Sequence, residues 1–110
     1  MKSRWPVIAL LGTMRPEMPD SMHRRTCYFT GRVQGVGFRY TVKNVALQYR
    51  VLGFVKNLPD GRVELVMEGP DPDMDRLVED VSQRMNGYIK KVDSVEDPAT
   101  GEFQQFFIRH

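Results

Sequence analysis

A glycine-rich segment that ends in an arginine is the part of this sequence best suited to chemistry. Residues 31–39, GRVQGVGFR, place glycines at positions 31, 35 and 37 ahead of Arg39. Glycine tolerates positive φ and lets the backbone approach a ligand closely, and the first amides of a helix, which the following residues are expected to form, bind anions. Arg39 adds a planar guanidinium that matches two phosphate oxygens. The segment therefore predicts a phosphate-binding cradle.

A structural interpretation of the same segment stays open on spacing alone, because glycines before an arginine also form ordinary tight turns. The dinucleotide-binding pattern is excluded, since Tyr40 stands where its third glycine belongs, and no Gly-Lys-Ser/Thr ending of a P-loop follows. A helix dipole contributes only about 0.3–1 kcal/mol to anion binding. Arg39 would therefore have to supply much of any phosphate affinity.

Asn57 is a second polar residue in a position that invites a chemical interpretation. It ends the apolar run VLGFVKN, residues 51–57, directly before LPDG, residues 58–61. Asparagines beside turns commonly bond their own backbone. The position alone favours this structural interpretation over a functional one.

The remaining reactive side chains indicate no metal or redox site. Cys27 is the only cysteine, which excludes an intramolecular disulfide and a C-x-x-C motif, and its apolar surroundings predict a core position. His23 and His110 lie at opposite ends of the expected folded region, and no residues have the spacing of a zinc motif. We expect a protein without a metal or a cofactor.

Length and composition predict one small domain after a leader. The chain has 110 residues, of which 41% are hydrophobic and 27% charged, and its net charge is +2; these values suit one modest core and do not indicate a nucleic-acid binder. Residues 1–22 hold a short apolar stretch and then a proline-containing segment without periodicity. We interpret them as a disordered leader or a mis-assigned start, not as a signal or membrane anchor. The domain is expected at residues 23–110, in the cytoplasm.

Residue patterns predict the elements that must position the glycine segment and Asn57. Alternating apolar residues predict strands at residues 25–33 and after the LPDG turn, and β-branched and aromatic residues predict another at 51–57. One helix face is formed by Val42, Val45, Ala46 and Tyr49. A second helix is predicted with Asp71 at its N-cap, Pro72 at N1 and Gly87 at its end, followed by strands at residues 88–95 and 103–110.

The resulting order is β-α-β-β-α-β with one additional C-terminal strand. This order predicts an α+β two-layer sandwich of the ferredoxin-like type, with an antiparallel or mixed sheet and both helices on one face. A fold of this kind does not by itself give a function.

Residues 31–69 resemble the acylphosphatase family. The loop GRVQGVGFR, the later GFVKN, the DG turn and the following EG occur in family order, and the ending FQQFFIRH is similar to the family's last strand. The resemblance covers about residues 25–110. Phe54 and Lys56 depart from the tryptophan and arginine common in the family, which concerns packing and local charge.

The resemblance implies an enzyme that hydrolyses small acyl phosphates to a carboxylate and inorganic phosphate, by direct attack of water and without a metal. It implies that Arg39 binds the phosphoryl group together with loop amides, and that Asn57 positions the attacking water. The implied phosphate-binding residues are Gln34, Gly35, Val36, Gly37, Phe38 and Arg39. No protein base is evident, and we hypothesise that the phosphate group itself takes the proton of the water.

Two binding functions are the alternatives. The first is a non-catalytic ferredoxin-like module that binds a phosphorylated ligand. The second is RNA binding, because residues 50–57, RVLGFVKN, partly match the RNP1 motif of RNA-recognition domains; the match lacks the aromatic residues on which bases stack. We expect a small-molecule substrate, no nucleic-acid or membrane partner, and a monomer.

Overall fold

A computed structural model describes residues 22–110 of the chain, so the predicted leader lies outside the described residues except for Met22. Seven elements follow one another in this range: β1 (Met22–Gly31), α1 (Phe38–Ala46), β2 (Leu52–Asn57), β3 (Val63–Pro70), α2 (Asp71–Arg84), β4 (Ile89–Pro98) and β5 (Phe106–Arg109). The order confirms the predicted ferredoxin-like α+β fold.

The five strands form one mixed sheet in the order β4-β1-β3-β2-β5. β3 pairs antiparallel with both β1 and β2, β4 pairs antiparallel with β1, and β5 pairs parallel with β2. β1, β2 and β5 therefore run in the same direction. Their C-terminal ends therefore lie at the same end of the sheet, where Phe29 and Asn57 both pair with Val63.

One face of the sheet and the two helices enclose a single core. Alternate strand residues such as Cys27, Phe29 and Leu65 are fully buried against it. The predicted apolar face of α1 is buried at Val42, Val45 and Ala46, while Tyr49 packs at the edge of the core after the helix has ended. The buried residues of α2 are Met74, Leu77 and Val81. Burial of this kind stabilises by about 1.5–3 kcal/mol for each large apolar side chain.

The opposite face of the sheet is partly covered by the segment between β4 and β5. The ring of Phe54 lies 5.9 Å from those of Phe103 and Phe107. The buried carboxylate of Glu68 accepts hydrogen bonds from the backbone N–H groups of Thr100 and Gly101, each at 2.9 Å. These contacts fix the segment that leads into β5.

Several predicted boundaries are displaced. β1 starts at Met22, and its first residues pair with residues 96–98, so β4 is longer than expected and part of the predicted loop is strand. β5 covers Phe106–Arg109, less than the predicted strand. α2 starts one residue early, because Pro70 in an extended conformation is its N-cap and Pro72 lies within the first turn. α2 ends at Arg84, and Gly87, with a φ of 99°, lies in the turn that follows.

Candidate active site

The segment between β1 and α1 ends in a left-handed glycine that starts the helix. Gly37 is the N-cap of α1 with a φ of 78° and a ψ of 19°, a conformation that costs a residue with a side chain about 1–2 kcal/mol. Its carbonyl accepts the first helical hydrogen bond from the Thr41 N–H at 3.0 Å and a second one from the Thr41 hydroxyl, also at 3.0 Å. Thr41 therefore has a local structural role at the start of the helix.

The turn that precedes this hydrogen bond exposes main-chain donors. In an α-helix the first four N–H groups have no partner within the helix, and here they belong to residues 37–40. No acidic side chain occupies the first turn of α1. The start of the helix therefore presents uncompensated positive charge to an anion.

A cavity of about 270 Å³ opens beside this helix start. It is lined by Val33, Gly35, Gly37, Phe38, Arg39, Tyr40 and Asn57. The structure thus brings Arg39 and Asn57 together with three of the loop residues for which phosphate binding was predicted. Gln34 and Val36 do not line the cavity, and Val36 packs against the core.

Gln34 connects the glycine loop to the turn between β2 and β3. Its side-chain Nε2 donates to the carbonyl oxygens of Leu58 and Arg62, at 2.8 and 2.9 Å. The two carbonyls lie directly after Asn57 and directly before β3. Gln34 therefore fixes the loop relative to the strand end that carries Asn57.

Asn57 carries an unusual polar atom. Its Oδ1 is buried and has no hydrogen-bond partner among residues 22–110, so the interpretation as a turn residue bonding its own backbone through this oxygen is wrong. A buried polar atom without a partner costs about 1–3 kcal/mol. Asn57 is thus a residue of the cavity lining whose side-chain acceptor is left unsatisfied by the described part of the protein.

Arg39 forms no ion pair with a carboxylate in the described part of the chain, and its Nη1 lies 3.4 Å from Nδ1 of His110. Its positive charge is thus available to an anion. His110 was not assigned any role from the sequence, since it is the last residue. His110 lies close to Arg39 because β5 pairs parallel with β2, which places Arg109 opposite Lys56. No local sequence pattern predicts this pairing.

The other reactive side chains lie apart from the cavity. Nδ1 of His23, within β1, is 3.2 Å from Oδ1 of Asp71. Cys27 is fully buried, and burial raises the pKa of its thiol. No group of three or more histidine, cysteine, aspartate or glutamate side chains within residues 22–110 is placed to hold a metal ion. Neither helix of this range is long and apolar enough to cross a membrane.

Comparison with known proteins gives matches over the same part of the chain. The family model described as acylphosphatase matches residues 25–108. The chain is 41% identical over 88 residues to an acylphosphatase of Syntrophus aciditrophicus, covering 79% of this chain and 92% of the relative. It is 45% identical over 92 residues to an acylphosphatase of Paenarthrobacter aurescens, covering 83% and 98%. The crystal structure of acylphosphatase from Bacillus subtilis superimposes with a TM-score of 0.72 at 35% identity, covering 80% of this chain and 99% of that chain.

Proposed function

The chain belongs to the acylphosphatase family, and on that premise we propose how its cavity hydrolyses the carboxyl–phosphate bond of small acyl phosphates. The phosphoryl group binds between the amides at the start of α1 and the guanidinium of Arg39. Both groups line one cavity, and no carboxylate of the described residues competes for Arg39. Phosphoryl transfer depends mainly on positioning and on stabilising charge at the equatorial oxygens, which these donors supply.

Asn57 positions the water that attacks phosphorus. The observation that carries this proposal is its buried Oδ1, which lacks a partner among residues 22–110 although the residue lines the same cavity as Arg39. A water that donates to this oxygen satisfies it. The water is then held beside the phosphoryl group while its own oxygen lone pair stays free to attack.

The reaction needs no protein base in this scheme. A bond forms between the water oxygen and phosphorus, the bond from phosphorus to the acyl oxygen breaks, and the carboxylate leaves with the electron pair. We propose that a phosphoryl oxygen of the substrate takes the proton, giving inorganic phosphate. Among residues 22–110, neither a carboxylate nor an imidazole lines the cavity, and a carboxylate is a leaving group that needs no protonation.

Hydrolysis of benzoyl phosphate in the presence of EDTA tests these roles. We expect Asn57→Ala to lower kcat by about 100-fold, as loss of one positioned polar group does elsewhere, while competitive inhibition by inorganic phosphate stays near that of the wild type. We expect Arg39→Lys to weaken phosphate inhibition and turnover together, because an ammonium cannot reproduce the planar fork.

Asn44→Ala is the matched control, because Asn44 is exposed on α1 and does not line the cavity. This variant should leave kcat and the competitive inhibition by inorganic phosphate unchanged. Near-normal turnover by Asn57→Ala would refute the role in water positioning, and loss of all activity in EDTA would refute hydrolysis without a metal.

We further propose a monomer in the cytoplasm. Only three large hydrophobic side chains of the described residues, Tyr40, Leu47 and Val95, are strongly exposed, whereas a stable interface usually presents a larger continuous apolar patch. The single cysteine is a buried free thiol, which a reducing compartment suits. Light scattering on the purified protein and fractionation of cells test the two points separately.

A further inference from the structure

An exposed tyrosine stands at the mouth of the cavity. Tyr40 directly follows Arg39, is 68% exposed and lines the same cavity as Arg39 and Asn57. Leu47 and Val95, the other strongly exposed large hydrophobic residues of the described range, do not line this cavity. Single exposed hydrophobic side chains are common on protein surfaces, so the location of Tyr40 matters more than its exposure.

Packing against the other described residues does not account for the tyrosine. Its ring is not part of the core, and its hydroxyl forms no hydrogen bond to another residue in the range 22–110. Phe38, two residues earlier, behaves differently, because it is buried and its ring centre lies 5.0 Å from that of Phe29. Phe38 therefore anchors the helix start in the core, while the ring of Tyr40 remains available to a ligand.

The geometry of the substrate determines what such a ring can contact. An acyl phosphate has a charged phosphoryl end and an acyl end, and the phosphoryl end is assigned to the amides and Arg39. The acyl group must then extend from the cavity toward its mouth. Phe38 and Val33 also line the cavity but are almost fully buried, so Tyr40 is the apolar side chain with the most surface to offer.

The charge of the lining restricts the acyl group further. Among the described residues that line the cavity, none is acidic and only Arg39 carries a charge. A cationic acyl group would find no counterion and would lie near a guanidinium. A neutral apolar or aromatic group would bury surface against the tyrosine ring, and aromatic pairs gain additional energy from offset or edge-to-face contact.

We propose that the ring of Tyr40 forms the acyl-group subsite and makes the enzyme select acyl phosphates with aromatic or extended apolar acyl groups over short ones. This inference rests on the proposed placement of the phosphoryl group. Tyr40 acts on specificity through contact with the non-reacting end of the substrate. Its effect therefore depends on the acyl group, whereas the effects of Arg39 and Asn57 do not.

The test compares kcat/KM for benzoyl phosphate and acetyl phosphate in the wild type, Tyr40→Ala, Tyr40→Phe and Val95→Ala. Tyr40→Ala should lower the value for benzoyl phosphate by about tenfold, the scale of one lost aromatic contact with its buried area, and change that for acetyl phosphate by less than about twofold. Tyr40→Phe should keep the wild-type ratio, because the ring and not the hydroxyl makes the contact. Val95→Ala, an exposed apolar residue on β4, should change neither value.

Inhibition by inorganic phosphate distinguishes an effect of Tyr40 on the acyl group from an effect on phosphate binding. It should be the same in Tyr40→Ala as in the wild type, because phosphate lacks an acyl group. An equal loss for both substrates, a weakened phosphate inhibition or an unchanged substrate ratio would overturn the subsite while leaving the proposed hydrolysis intact. A wild type that hydrolyses neither substrate would overturn both.

Discussion

Arg39 and Asn57 come from different elements and carry different parts of the proposed reaction. Arg39 lies in the first turn of α1 and supplies charge, while Asn57 ends β2 and supplies an uncharged acceptor. A charged donor binds substrate, product and transition state alike, and it contributes further where negative charge increases. A water-positioning group acts on the attacking molecule alone. The two residues should therefore separate in measurements of phosphate binding and turnover.

The backbone conformation of Gly37 is a third determinant at this scale. Gly37→Ala should lower the free energy of unfolding by about 1–2 kcal/mol, because alanine disfavours a positive φ, and should weaken inhibition by inorganic phosphate as the amides of the helix start shift. Urea denaturation and inhibition of benzoyl phosphate hydrolysis measure the two effects.

Gly61→Ala is the control for Gly37→Ala. Gly61 has a φ of 97°, and a Cβ on either glycine would meet no atom within 4 Å apart from those of the two adjoining residues. The control should lose similar stability and keep its phosphate inhibition. If both variants bound phosphate like the wild type, the conformation of Gly37 would have no part in the site.

The sequence was informative about these residues to different degrees. Arg39 could be singled out from its own context, because glycines before a guanidinium match the chemistry of a phosphate. Asn57 could be assigned only through the family resemblance, since asparagine beside a turn has a commoner structural explanation. His110 could not be assigned, because its contact with Arg39 depends on a strand pairing between distant parts of the chain.

At the scale of elements, the site depends on three strand ends and on the segment that delivers β5. The C-terminal ends of β1, β2 and β5 lie at the same end of the sheet, and Gln34 connects the glycine loop to the turn after β2 by two hydrogen bonds. The segment before β5 is held by Glu68, whose side chain is 4% exposed and pairs with Arg24 at 3.4 Å. Element order was predictable from hydrophobic periodicity, but element ends were not. Residues 96–98 read as a loop from composition and form strand because β1 offers them partners.

Glu68→Gln tests the hold on this segment. The buried carboxylate accepts hydrogen bonds from two backbone N–H groups and from the Thr100 hydroxyl. In the glutamine variant, the side-chain NH₂ group would face at least one of these N–H donors, and that hydrogen bond would be lost. We expect a loss of about 1.5–3 kcal/mol in the free energy of unfolding, the range for hydrogen bonds to charged groups, measured by urea denaturation. Glu79→Gln, on the exposed side of α2, should stay within about 0.5 kcal/mol of the wild type. Equal stability of the two variants would contradict this account.

At the scale of the whole molecule, the sheet has two differently covered faces. The helices bury one face in the main core, and residues of the β4–β5 segment cover part of the other around Phe54. The sequence predicted the first arrangement, because helix and strand periods are visible in local windows. It did not predict the second, since Phe103 and Phe107 lie in a stretch whose partners are some fifty residues away. The guanidinium of Arg109 also stacks over Phe54, 3.9 Å from the ring centre.

In the proposed site, the helix-start amides and Arg39 converge on a phosphate dianion. The most direct measurement is a titration of the ¹⁵N-labelled protein with inorganic phosphate, followed through the backbone amides of residues 35–40 and the side-chain Nε–H of Arg39. We expect these signals to shift together with one dissociation constant, and we expect Arg39→Lys to raise this constant while amides in β4 stay unchanged. Shifts confined to other parts of the chain, or a titration that Arg39→Lys leaves unaltered, would contradict it.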